Sequence, residues 1–135
     1  MLKMARLLAA AVVATSLAAC SGVSSPSSQT LDTFTGSVDP IGQSSINFSV
    51  GKTSELSLTL ISLTPRPVLG FIGLAIGQPV VGGCSPYGAY VVSQAAIGQS
   101  YAFGQVAKGS YCLLVIDGNG ILTAPATYSV RVVHS

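Results

Sequence analysis

Between residues 45 and 60, apolar and polar side chains alternate one for one. Ile46, Phe48 and Val50 alternate with Ser45, Asn47 and Ser49; beyond Gly51 and Lys52, Leu56, Leu58 and Leu60 alternate with Ser57 and Thr59. A period of two places every second side chain on one face of an extended strand, whereas a helix needs apolar residues three and four apart. Two half-buried antiparallel strands joined by a turn are expected here. Tyr128, Val130 and Val132 alternate with Ser129, Arg131 and Val133, giving a third strand. Shorter apolar runs at 31–38, 68–76, 90–95, 101–106 and 111–116 are fenced by Gly, Pro, Asn and Ser at the spacing of an all-β sandwich. Residues 31–135 are therefore read as one antiparallel β-sandwich of about eight strands.

Two of these runs, 68–76 and 111–116, are apolar on both alternating faces. A strand in a two-layer sandwich normally keeps one face wet. Either a covering segment or a partner must therefore lie on the second face. Residues 77–89 are long enough to cross the sheet as a loop, and Cys84 within them can be stapled to Cys112.

The first nineteen residues read as an address. Lys3 and Arg6 form a basic start, residues 7–19 are apolar or small, and the run ends Leu17, Ala18, Ala19, Cys20. This is the layout of a secretory signal. Its apolar run of roughly thirteen residues falls short of the about twenty needed to span a bilayer as a helix, and a Ser-rich segment follows it. The Leu-Ala-Ala-Cys end resembles the lipobox of bacterial lipoproteins. That resemblance implies a diacylglyceryl group on the Cys20 thiol, cleavage before Cys20 that exposes its amine, and attachment to a membrane of the cell envelope. Ser21 stands where an aspartate would argue for inner-membrane retention, which favours the outer membrane if there is one. An ordinary signal cleavage that leaves Cys20 a bystander is the plainer alternative. Residues 20–30 lack apolar periodicity and read as a Ser-rich tether.

Without residues 1–19 the chain keeps Lys52, Arg66, Lys108 and Arg131 against Asp32, Asp39, Glu55 and Asp117, and is formally neutral. Nucleic-acid binding, which needs a basic face, is set aside. Charged residues are 7% of the sequence, against about 25% in a typical soluble domain, so Ser, Thr, Asn, Gln and Gly must cover the surface. In an oxidising compartment Cys84 and Cys112 are the evident disulfide pair. The bond would close a loop of roughly 29 residues and add about 3 to 4 kcal/mol in the chain-entropy model. Two buried free thiols are the alternative. With one histidine in the chain, no four-ligand zinc pattern is present, and no metal or cofactor is expected.

Residues Gly109, Ser110 and Tyr111, followed after a turn by Tyr128, Ser129, Val130, Arg131 and Val132, resemble the closing strands of the bacterial pre-peptidase C-terminal domain. A Phe-containing pair at 34–36 and 46–50 opens the sandwich in the same way. The resemblance covers residues 31–134 and implies a jelly-roll-like accessory domain without chemistry of its own. That family's domains accompany secreted enzymes, and no enzyme domain is present here.

A serine hydrolase needs a base and an orienting carboxylate. His134 is the one base available, and it lies next to the last residue, where fraying is expected. The four acids stand singly, without the pairing that glycosidases need. Asp117, Gly118, Asn119 and Gly120 read as a turn rather than a calcium loop, because no further acid follows at useful spacing. The chain is thus read as a non-enzyme, a lipid-anchored binding or structural module that contacts an envelope protein or a polysaccharide. Tyr87 and Tyr90, in a Gly- and Pro-rich stretch beside Cys84, are the candidate contact surface. A secreted hydrolase and a carrier of an apolar ligand are the competing readings.

Overall fold

The computed structural model describes residues 29–135. The signal segment, Cys20 and the tether up to residue 28 lie outside the described residues. Eight strands follow in order: β1 (Thr30–Val38), β2 (Gln43–Val50), β3 (Ser54–Thr64), β4 (Phe71–Val80), β5 (Gly83–Ala96), β6 (Ser100–Val106), β7 (Gly109–Ile116) and β8 (Ala126–His134). They form two four-stranded antiparallel sheets, ordered β1-β8-β3-β6 and β2-β7-β4-β5. Eight strands in two such sheets are the arrangement of a jelly roll, and the domain is the all-β sandwich its alternation predicts.

The alternating rows meet between the sheets. Leu56, Leu58 and Leu60 of β3 and Val130 and Val132 of β8 point inward from one sheet. Ile72, Leu74 and Ile76 of β4 and Leu113 and Val115 of β7 point inward from the other, all within one cluster. Each aliphatic side chain sealed in this layer contributes roughly 1.5 to 3 kcal/mol relative to exposure.

The doubly apolar strands β4 and β7 are explained by a second, smaller cluster. Tyr111, Leu113 and Val115 face the main core, while Cys112 and Leu114 point to the opposite side and are buried with Ala75 and Cys84. The cover comes from β5, stapled by a disulfide between Cys84 and Cys112. In a flat sheet, β5 and β7 with β4 between them would stand about 9 to 10 Å apart. The two cysteine Cα atoms are 5.8 Å apart. The free end of the β4–β5 hairpin therefore curls over the outer face of its own sheet.

Three expectations need correction. Residues 68–70 are not strand: Pro65 and Pro67 have no N–H to give a ladder, the Gly70 N–H closes a turn onto the Pro67 carbonyl at 2.9 Å, and Val68 and Leu69 are exposed. Residues 77–89 are not a loop but the end of β4 and the start of β5, paired down to Val80 and Gly83. Pro79 is tolerated because β4 pairs with β7 only as far as Gly77 and Cys112, which leaves its outer edge without a ladder to feed. His134 does not fray: it ends β8 opposite Thr30 and is buried.

The disulfide should carry much of the stability of this curled hairpin. Its sequence separation is 28, so replacing both cysteines by alanine is expected to lower the unfolding free energy by about 3 to 4 kcal/mol. Urea denaturation followed by circular dichroism measures this as a lower midpoint.

Candidate functional site

The register of β5 against β4 builds the site. Val91 pairs with Ala75 and Pro86 with Gly77, so Ile76 alone faces four residues, Tyr87, Gly88, Ala89 and Tyr90. Surplus residues in one strand must buckle outward. Gly77 permits the pinch, since a Cβ there would collide with the Ser85 carbonyl oxygen. A second shift between Ile72 and Leu74 sets two residues of β5, Ser93 and Gln94, against Gly73. Nearby, the Tyr101 hydroxyl accepts the Ala96 N–H at 2.9 Å and braces the β5–β6 turn.

The buckled segment brings both sequence-predicted tyrosines to one groove. It lies at the open edge of the sandwich between β5 and the end of β6, and is lined by Tyr87 and Tyr90, by Gln105, Val106 and Ala107, and by Tyr111. Its volume is about 470 Å³, and its lining holds no charged side chain. Tyr87 meets Tyr90 edge-on at 5.9 Å between ring centroids and Tyr111 at 6.4 Å. The rings continue inward, from Tyr111 to Phe48 at 6.0 Å and from Phe48 to Phe34 at 5.7 Å. Such contacts hold the ring orientations more firmly than area burial alone.

Tyr111 is a groove residue that the sequence did not single out beside Tyr87 and Tyr90. It packs in the core cluster and also lines the groove, donating its hydroxyl to the Ala107 carbonyl at 2.6 Å. Burial pushes its phenol above the usual range, and the neighbouring Tyr87 and Tyr90 hydroxyls add to that. It is held neutral, as an uncharged groove requires. Tyr128 behaves as expected: it is buried, with its hydroxyl 2.9 Å from Ser44 Oγ.

At the opposite end of the sandwich, Asp117 is more than a turn residue. Its buried carboxylate accepts the N–H groups of Ile41 at 3.0 Å, Ile121 at 2.8 Å and Leu122 at 3.1 Å. It ties the β1–β2 turn to the β7–β8 loop and holds Ile41 at a φ of 56°, a conformation a β-branched residue rarely adopts. Burial pushes its carboxyl up, and the N–H groups of Ile41, Ile121, Leu122 and Gly120 together outweigh that and hold it below the usual carboxylate range. These bonds occupy the oxygens a cation would need. Among the described residues no group of three or more His, Cys, Asp or Glu side chains is placed to hold a metal.

His134 has an acid beside it, and among the described residues no serine hydroxyl is hydrogen-bonded to its ring. Its Nε2 is 2.8 Å from Asp32 Oδ2, and its ring packs 5.9 Å from Phe48. The nearby Ser54 hydroxyl accepts the Ser135 main-chain N–H at 3.0 Å. The pair ties β1 to β8. Between the sheets the buried side chains pack as one core cluster.

No protein-family model and no curated protein matches the chain. Among solved structures the fold is similar to that of PliG from Aeromonas hydrophila, a periplasmic lysozyme inhibitor of g-type lysozyme. The TM-score is 0.54 at 11% identity, over 84% of this chain and 93% of that one. PliG from Salmonella Typhimurium, described in the same terms, aligns with a TM-score of 0.45 at 12% identity over 78% and 91%.

Asp117 generates a pH-dependent prediction. Its folded pKa lies below the unfolded one, so its contribution is complete above about pH 5 and fades as acid titrates the folded carboxylate. Asp117→Asn should destabilise the domain by about 1 to 3 kcal/mol at pH 7, since an amide cannot accept all three N–H bonds. Denaturation curves from pH 7 to pH 2 should show the gap between wild type and variant closing at the acid end.

Proposed function

We propose that this chain is a non-catalytic binding module of the bacterial cell envelope, held on a membrane by lipid on Cys20, which grips a partner protein through the Tyr87, Tyr90 and Tyr111 groove. The observation that carries the reading is the groove itself: three tyrosines braced edge to edge around an uncharged concavity. Tyrosine offers large, stiff contact area at little entropic cost and is enriched where proteins meet. A protein partner fits better than a polysaccharide. Sugar hydroxyls call for several polar side chains, whereas Gln105 is the one amide in the lining and Tyr111 already spends its hydroxyl on Ala107.

The jelly-roll likeness to a periplasmic inhibitor of g-type lysozyme supports an enzyme of that class as the first partner to try. The lipobox supports the same compartment and adds the tether. Among the described residues no helix is long and apolar enough to cross a membrane, which leaves the anchoring in this reading to the lipid.

The test is a titration of the purified protein against a g-type lysozyme, read as lost cell-wall lysis and as binding heat. Inhibition by wild type is expected, with Tyr87→Ala plus Tyr90→Ala weakening it by more than about thirtyfold, the scale of a central aromatic anchor. Equal inhibition by wild type and the double variant would remove the groove from the reading. Binding of peptidoglycan fragments in place of the enzyme would move it to the glycan.

A further inference from the structure

The strand directions decide which turns share an end of the sandwich. β1 starts, and β8 finishes, at the end that also carries the β2–β3 turn, the β6–β7 turn and the tip of the β4–β5 hairpin. The first two turns present Lys52 and Lys108, both exposed. The hairpin tip presents Val80 and Val81 at 51% and 106% exposure, and Gly82 at a φ of 80° completes it. Cys84, two residues beyond Gly82, fixes the tip to β7. Two apolar side chains on a stapled prong, flanked by two lysines, therefore stand at the end where the chain enters the fold. Among the described residues the acidic side chains at this end are Glu55, which is exposed, and Asp32, which is paired with His134.

The length of the preceding chain turns this into an orientation. Eight residues, 21–28, separate Cys20, the lipid site of that reading, from the described chain. The covalent limit on their reach is about 30 Å. The nine residues of β1 alone run about 30 Å at 3.3 to 3.4 Å each. A tether no longer than the domain, joined to it at this end, keeps the entry end toward the bilayer.

We infer that this end docks on an anionic phospholipid surface, Val80 and Val81 entering the headgroup–acyl boundary while Lys52 and Lys108 meet the lipid phosphates. Apolar side chains beside lysines are how peripheral segments add to a lipid anchor. The inference rests on the lipid-anchor reading above and extends it. The tyrosine groove then opens at headgroup level, and its partner is met along the plane of the membrane.

The chain contains no tryptophan, so a single one reports its own surroundings. The lipidated full chain, carrying either Val81→Trp or Val68→Trp, is reconstituted in phosphatidylethanolamine–phosphatidylglycerol vesicles with and without brominated acyl chains. Val68 is 103% exposed at the opposite end. The expected result is blue-shifted emission and at least twofold quenching for Val81→Trp alone. Adding Lys52→Glu and Lys108→Glu should reduce that quenching, as should high salt. Quenching of both reporters, of neither, or of Val68→Trp alone overturns the docking. The intact mass of the amino terminus reads the anchor separately. If Cys20 is unmodified, the anchor reading fails, and the docking stands only if vesicles added to the unlipidated protein at low salt quench Val81→Trp and not Val68→Trp.

Discussion

One mismatch in a ladder governs much of what is distinctive in this domain: four residues of β5 stand against one of β4. A regular hairpin would run flat along the sheet edge and keep its side chains in two rows. The surplus buckles Tyr87 and Tyr90 out to meet Tyr111, and beyond it the hairpin bends far enough for Cys84 to reach Cys112 across an intervening strand. Groove, disulfide and apolar prong are three outcomes of one local excess of chain. Gly77 is its precondition, because a larger residue there would meet the backbone of β5.

The two ends of the sandwich are built on different physics. The end where the chain enters is held by rings, from Phe34 through Phe48 to Tyr111, and by the His134–Asp32 pair. The far end is held by one buried carboxylate that collects main-chain N–H groups from two turns. Dispersion and ring contacts barely respond to acid, whereas a carboxylate network loosens as it protonates. The tyrosine groove sits at the end braced by rings.

The sequence showed the parts of this fold that depend on near neighbours. Alternation marked β2, β3 and β8 because each buries every second residue, and the two cysteines left after Cys20 were a natural pair. The covered outer face of β4 and β7 could also be inferred, since apolar residues on both sides of a strand need a lid. What stayed hidden depends on pairing at long range. Residues 77–89 look like a loop because their glycines and prolines are loop residues, and only the register shows that they pair as strands. Asp117 looks like a turn because Asp-Gly is one; its binding to Ile41 N–H joins positions 76 apart. His134 looked frayed because its burial is decided by β1. Tyr111, on a clean strand, gave no local sign that it also lines a groove.

The position of β8 has a consequence for how the chain becomes a domain. β8 is not at an edge: it lies between β1 and β3, and β1 has no other neighbour in its sheet. Until the nine residues of β8 are available, the first strand has nothing to pair with in its sheet. Closure that waits for contacts between the two ends of the sequence is slow. A chain interrupted within β8 therefore leaves its first strand unpaired and one of its two sheets divided, and cannot pass for a folded one.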